Sequence, residues 1–147
     1  MKKTFIVLFI ILFNQVFSED NYIGYWQTPD KKVIIEIKKI NKEYKGYVRW
    51  LKDLTYPKGD YMEGKEQIDR KNPNFNLRAR KIINLQVIGG LKKEKNKLIG
   101  GWIYDSWNGR KYYGSAKILN KNTLNLKGSI DRWGIIGYSM KVKRAKF

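Results

Sequence analysis

Four carboxylates in one polar segment are the side chains with which this chain could do chemistry. The sequence contains no histidine and no cysteine. This composition excludes a histidine-assisted serine nucleophile, a thiolate nucleophile and a zinc site of nitrogen and sulfur ligands. A suitably spaced pair of carboxylates can still act as acid and base on a glycosidic bond. The acidic residues in question are Asp60, Glu63, Glu66 and Asp69. Lysines lie between them, so we favour a solvated loop and predict that the protein is not an enzyme.

The segment "DRKNPNFNLRARKIINLQVIGG", which begins at Asp69, places a charged loop directly before an apolar run. Asn72-Pro73 favours a turn, and Asp69 can accept hydrogen bonds from exposed backbone N–H groups. The residue types therefore predict an ordered loop rather than a simple linker.

Two arginines follow this turn and have two possible roles. Arg78 or Arg80 can form a paired hydrogen bond with a carboxylate such as Asp69 or Asp105, which would clamp the loop across the fold. Alternatively, one arginine lies at the mouth of a cavity and binds the acidic head group of a ligand. We favour the clamp because it requires no partner from outside the chain.

Alternation of apolar and polar residues dominates the chain after residue 23. In one example, Val33, Ile35 and Ile37 alternate with Ile34 and Glu36, which is typical of a half-buried strand. Asn and Gly at short spacings mark tight hairpin turns between the segments. The predicted strands after the first short one are 33–40, 44–51, 83–91, 98–104, 111–119, 123–130 and 135–144. One connection is long, residues 52–80.

Such an arrangement predicts an all-β fold. About eight strands in up-and-down order are best satisfied by an antiparallel barrel, because closure leaves no exposed edge strand. A barrel of this size encloses either its own side chains or one small ligand.

The N-terminal residues 1–18 are typical of a secretory signal peptide. Lys2 and Lys3 precede a short apolar run, and Ser18 ends the segment before acidic Glu19. We therefore expect a periplasmic or secreted protein whose mature chain, residues 19–147, forms a single domain without a transmembrane segment or a lipid-anchor cysteine.

The chain is strongly basic. It carries 31 Lys and Arg residues against 13 Asp and Glu residues. Without the predicted signal peptide, 29 basic residues face 13 acidic ones, a net charge of +16. A positive field favours anionic partners. Nucleic acid is disfavoured because none of the basic and aromatic motifs of nucleic-acid-binding modules is present.

Three segments resemble the small exported bacterial proteins grouped as domain of unknown function 2147. They are "GYWQTPDKKVIIEIKK", the segment from Asp69 quoted above, and "GGWIYDSWNGRKYYGSAKI" followed by "LNLKGSI". The most specific positions include Asp69, Asn72, Pro73, Asp105 and Gly109. The resemblance covers nearly the whole mature chain and implies a lipocalin-like, or calycin-like, barrel. The chain departs from the family pattern at two positions, with Ser106 at the place of a usual Pro and Val142 at the place of a usual Trp.

This resemblance also implies a structural role for the Gly-x-Trp motif at the start of the barrel. Such barrels commonly close their base by laying a basic side chain of the last strand over that Trp. The corresponding residues here are Gly24, Trp26 and Arg144, and a guanidinium stacked on indole contributes on the order of 1 kcal/mol.

Aromatic side chains on the predicted strands are the candidate walls of a ligand cavity. Trp and Tyr provide apolar surfaces with a few polar groups, as small-molecule pockets require. Trp50, Tyr104 and Tyr112 are our candidates, although core packing accounts for each of them equally well.

These observations together predict an exported protein that binds a small lipophilic or amphipathic ligand, with an anionic head group as one option. An interaction module whose basic outer surface contacts an anionic envelope surface or a partner protein is the alternative. We predict no metal and no cofactor.

Overall fold

The computed structural model describes residues 20–147 as eight strands and one short 3₁₀ helix. The predicted signal peptide, residues 1–18, lies outside the described residues. Each strand pairs with the next in antiparallel order, and β1 pairs with β8, so the sheet closes into a barrel. The predicted eight-stranded up-and-down barrel is confirmed. The strands are β1 Gly24–Gln27, β2 Val33–Ile40, β3 Glu43–Leu51, β4 Gln86–Glu94, β5 Lys97–Asp105, β6 Arg110–Asn120, β7 Thr123–Ser129 and β8 Gly137–Arg144, and the 3₁₀ helix is Phe75–Leu77.

Hairpin turns place the connections alternately at the two ends of the barrel. Asn41 and Lys42 both have positive φ between β2 and β3, as a tight two-residue hairpin requires. The predicted start of β4 at Ile83 is wrong by three residues, because Asn84 also has positive φ and forms a turn before the strand begins at Gln86. The long loop between β3 and β4 consequently spans residues 52–85.

A β-bulge in β3 reverses the alternation that the sequence suggested. Val48 pairs with Ile35, but the next pair joins Trp50 to Ile34, so two residues of β3 oppose one residue of β2. Val48 and Leu51 face the interior, whereas Trp50 lies with Ile34 on the outer face.

The barrel interior is divided into a packed half and a hollow half. At the end that contains the β2–β3, β4–β5 and β6–β7 hairpins, the side chains are almost completely buried. We call this end the closed end, and its interior is filled by Trp26, Ile37, Tyr44, Leu91, Leu98, Leu124 and Val142. At the opposite, open end, the interior side chains surround a cavity.

Two negative findings apply to residues 20–147. None of the helical structure there has the length and apolar character needed to span a membrane. The same residues contain no cluster of His, Cys, Asp and Glu side chains able to hold a metal ion.

Candidate functional site: a cavity at the open end

The open end of the barrel contains a cavity of about 1380 Å³. The long loop and the β1–β2, β5–β6 and β7–β8 loops surround its mouth, and strand side chains form its walls. These walls are largely aliphatic and include Val33, Ile35, Val48, Ile88, Ile103, Leu126 and Met140. Apolar space of this size, open at one end of the barrel, suits a lipophilic molecule larger than a single ring.

Two of the predicted ligand-binding residues line the cavity. Tyr104 and Tyr112 lie on facing strands, β5 and β6, and both contribute to the wall together with Asp105. Their role in binding a ligand stays a prediction.

Three other assignments need correction. Trp50 does not line the cavity, because the bulge in β3 turns its side chain to the outer face. Arg78 and Arg80 are also absent from the cavity lining. Both arginines are directed instead towards groups of the long loop itself.

Asp69 is the centre of a buried hydrogen-bond network that joins the long loop to β5. Its Oδ1 accepts a hydrogen bond from the Tyr104 hydroxyl at 2.5 Å, and its Oδ2 accepts from Asn72 Nδ2 at 2.8 Å and from Arg80 Nη2 at 2.7 Å. The Asp69 side chain is completely buried. Burial and the hydrogen bond to Asp69 raise the pKa of Tyr104 to about 12. This arrangement corresponds to a clamp in which Arg80 supplies the positive charge.

Arg78 contributes to the same loop in a different way. Its Nε donates to the backbone carbonyl of Asn72 at 2.7 Å, and its guanidinium lies 5.6 Å from the ring centre of Phe75. Pro73 is exposed beside this contact. Arg78 therefore stabilises the turn rather than pairing with a carboxylate.

The long loop also packs directly on the β5–β6 turn. Gly109 has a φ of 70°, and a Cβ atom there would collide with the carbonyl oxygen of Lys71. Only glycine permits both the left-handed backbone and this close approach. The loop therefore covers one side of the cavity as a fixed wall.

Arg70 lies at the cavity mouth and was not identified from the sequence. Its guanidinium donates two hydrogen bonds to the Asp60 carboxylate, each of 2.7 Å, and lies 3.9 Å from the ring centre of Tyr56. The paired hydrogen bonds from Arg70 lower the pKa of Asp60 to about 2. Because Arg70 is adjacent to Asp69 in the chain, the same charged motif that predicted the clamp was the available signal.

Ser106 is the second lining residue that sequence reasoning missed. The residue is 5% exposed and lines the cavity, and its hydroxyl has no hydrogen-bond partner among residues 20–147. Unpaired buried hydroxyls are uncommon because they lose hydration without compensation. The available signal was the departure from the Pro that the family resemblance predicts at this position.

The other two candidate carboxylates, Glu63 and Glu66, have partners within the long loop. Glu66 lies 2.8 Å from Lys81 Nζ, and Glu63 accepts a hydrogen bond from the backbone N–H of Gly59 at 3.1 Å. With Asp60 paired to Arg70 and Asp69 buried in its network, each of the four candidate carboxylates has a partner within the long loop.

The closed end shows the arrangement expected for the Gly-x-Trp motif. The Arg144 guanidinium lies 4.2 Å from the ring centre of Trp26, which is fully buried. Gly24 has a φ of 129°, and a Cβ there would meet Arg144 Nη1 at 2.9 Å. The missing side chain of Gly24 therefore gives the guanidinium room to cover the indole.

The fold and the position of these motifs agree with a match to one protein family. Residues 24–144 match the sequence profile of a family described as "Uncharacterized protein conserved in bacteria (DUF2147)". The chain belongs to the DUF2147 family. The matched region contains all eight strands, so the family assignment covers the whole barrel.

A solved structure supports the fold assignment of this DUF2147 protein. The chain is similar to HP1028 from the human pathogen Helicobacter pylori, which is described as belonging to the lipocalin family. The two share 26% sequence identity with a TM-score of 0.70, over 84% of this chain and 82% of HP1028. No curated protein sequence matches the chain. The lipocalin-like barrel fits binding of a small ligand within its interior.

Proposed function

We propose that this protein is an exported carrier that binds one lipophilic, amphipathic molecule in the cavity at the open end. The cavity of about 1380 Å³ with largely aliphatic walls is the observation that carries the proposal. Apolar walls provide affinity in proportion to the ligand surface removed from water. Export rests on the signal-like residues 1–18 of the sequence.

Polar groups at the wall support a ligand with one hydrogen-bonding end. Ser106 lines the cavity and its buried hydroxyl is unpaired among the described residues, so a side-chain rotation that turned the hydroxyl into the cavity would let it donate to a carbonyl or carboxylate oxygen of the ligand. Tyr112 also lines the cavity, and it is a second side chain of the wall that carries a hydroxyl group. The mature chain, with 29 basic residues against 13 acidic ones, has a net charge of +16, which favours the encounter with an anionic head group.

A cavity-filling variant tests the proposal. We expect the mature protein to bind a fluorescent fatty acid with one-to-one stoichiometry, and Ile103→Trp to weaken this binding at least about tenfold because the indole occupies space at the wall. Tyr113→Trp is the matched control, since Tyr113 is 54% exposed on the outer face of the neighbouring strand. Equal affinities in all three proteins would contradict binding inside the barrel.

Salt distinguishes this function from the alternative of a basic outer surface. Binding inside the cavity should persist in about 0.5 M salt, whereas attraction to exposed charges is screened within a few ångströms under those conditions. Loss of fatty-acid binding over this range would favour the surface interaction module.

A further inference from the structure

Six exposed apolar and aromatic side chains border the cavity mouth. We call them the apolar rim: Trp107, Ile130, Trp133, Ile135, Ile136 and Tyr138. All are more than half exposed, and Ile135 reaches 80%. Isolated exposed apolar residues are ordinary, but a cluster of this size on one end of a protein marks an interaction surface.

The β7–β8 loop contains four of the six rim residues, and hydrogen bonds within the loop fix its shape. The two carboxylate oxygens of Asp131 accept hydrogen bonds from the backbone N–H groups of Ile135 and Ile136, at 2.9 and 2.6 Å. Lys127 Nζ donates to the carbonyl of Gly134, whose φ is 74°. With several of its backbone groups bonded internally, the loop exposes apolar side chains on an ordered turn.

This internal bonding favours an apolar environment for the loop tip. A backbone N–H or C=O group that enters lipid without a partner costs several kcal/mol. Ile130 N donates to Ile136 O at 3.0 Å, and Gly134 N donates to Asp131 O at 3.2 Å, so further polar groups of the loop are already paired. These pairings lower the cost of moving the loop tip out of water.

Charge and residue type point to an anionic lipid surface as the partner. Arg132 lies beside Trp133, with its guanidinium 5.5 Å from the ring centre, and the mature chain carries a net charge of +16, from 29 basic and 13 acidic residues. Trp and Tyr prefer the boundary between lipid and water, and Lys and Arg attract anionic head groups.

We propose that the open end of the barrel docks on an anionic bilayer, with Trp133 and Ile135 inserted among the lipid head groups. This surface interaction is independent of the cavity ligand, since neither Trp133 nor Ile135 lines the cavity. In the docked orientation, the cavity mouth faces the lipid.

Flotation with vesicles of equal parts phosphatidylethanolamine and phosphatidylglycerol tests the docking. We expect the wild-type protein to float with these vesicles at low salt and to remain behind with vesicles of phosphatidylcholine alone. The double variant Trp133→Ser with Ile135→Ser should bind at least about tenfold more weakly, because it removes the inserted apolar area.

A control at the opposite end isolates the rim from general apolar exposure. Ile40 and Leu119 lie beside hairpins at the closed end and are 39% and 46% exposed. The double variant Ile40→Ser with Leu119→Ser should bind the vesicles as the wild-type protein does. Fatty-acid binding in solution should be unchanged in the rim variant, which separates a failure of docking from a failure of the carrier function.

Three results would overturn the docking proposal. The first is that the wild-type protein fails to float with anionic vesicles at low salt. The second is that the rim variant floats as well as the wild type, or that the closed-end control loses as much binding. The third is concentration-dependent self-association of the wild type that the rim variant abolishes, which would make the rim an interface between copies of the chain.

Discussion

Both ends of the barrel contain an arginine next to a tryptophan, but the two pairs lie in opposite environments. At the closed end, Trp26 is fully buried beneath Arg144, 4.2 Å from the guanidinium. At the open end, Trp133 is 75% exposed beside Arg132, at 5.5 Å. The same pair of residue types therefore seals a core in one place and leaves an aromatic ring available for contact in the other.

The hydrogen bonds of the closed-end arginine explain this difference. Arg144 donates from Nε to the Lys121 carbonyl at 2.9 Å, from Nη1 to Ile23 at 3.1 Å and from Nη2 to Asn21 at 2.7 Å. The guanidinium thereby joins the segment before β1 to the β6–β7 turn across the indole. These three hydrogen bonds hold the guanidinium over the buried Trp26 ring at the closed end.

The largest expected difference is between substitutions of the two tryptophans. Trp26→Ala should lower the free energy of unfolding by about 3–5 kcal/mol, because it opens a cavity in packed core and leaves Arg144 without its ring. Trp133→Ala should change it by less than about 0.5 kcal/mol, since the side chain is exposed. Urea denaturation measures both values. Comparable losses would show that the β7–β8 loop is part of the stable core.

Substitution of Asp69 tests whether the long loop contributes to the free energy of unfolding. Asp69→Asn should cost about 2–4 kcal/mol, because it leaves Arg80 without its buried counter-charge and changes the hydrogen bond with Tyr104. Asp53→Asn, at an exposed position in the same loop, is the control and should be nearly neutral. A neutral Asp69→Asn in urea denaturation would mean that the loop does not depend on this network.

Lysine substitutions of Arg144 and Arg132 should have different effects on stability. Arg144→Lys should destabilise the protein by about 1–2 kcal/mol, since an ammonium group cannot make the three carbonyl contacts and stack on Trp26 in one geometry. Arg132→Lys should leave both stability and vesicle binding close to wild type, because it retains the charge. Thermal unfolding compares the two variants. Equal shifts in the melting temperature would mean that the two arginines contribute equally to stability.

Ionisation of Tyr104 at alkaline pH should have a smaller effect on the free energy of unfolding. The folded protein raises the pKa of Tyr104 to about 12, from an unfolded value near 10. The neutral phenol is therefore favoured by folding, so its contribution is complete below about pH 10 and is lost as the pH rises towards 12. In Tyr104→Phe, the free energy of unfolding should decline less steeply between about pH 10 and pH 12. Urea denaturation at several pH values measures this slope. An unchanged slope would contradict the raised pKa.

Ser106 gives the smallest expected change in stability. Ser106→Ala should leave the free energy of unfolding within about 0.5 kcal/mol or raise it slightly, because the hydroxyl that is lost is unpaired among residues 20–147. Fatty-acid affinity should fall several-fold in the same variant if this hydroxyl bonds the ligand. The result to watch for is a clear loss of stability with intact affinity, which would assign Ser106 to the fold alone.

The barrel itself could be predicted from the sequence because its signals are local. Alternation of apolar and polar residues indicated the strands, and Asn and Gly indicated the hairpins. The contact of Arg144 with Trp26 was expected from a recognisable motif. The contact of an arginine with Asp69 was expected from their opposite charges. Both contacts are present in the structure.

The cavity could not be predicted in the same detail. Trp50 fits the alternation of β3 perfectly, yet one inserted residue at the bulge moves its side chain to the other face. Arg78 and Arg80 are two residues apart and chemically equal, and only the path of the loop decides that Arg80 meets Asp69. Arg70, Ser106 and all of the apolar rim except Tyr138 lie in loops, where no period relates a residue to a face.

The sequence alone therefore determined the fold class, the strand order, the closed-end motif and the basic charge. The tertiary structure decided which half of the barrel is filled, which side chains line the hollow half and which aromatic residues stay in water. The physical reason is that strand patterns are repeated along the chain, so they survive in the sequence. Register, bulges and loop packing depend on contacts between distant segments, and a single shift in register changes the face of every side chain that follows.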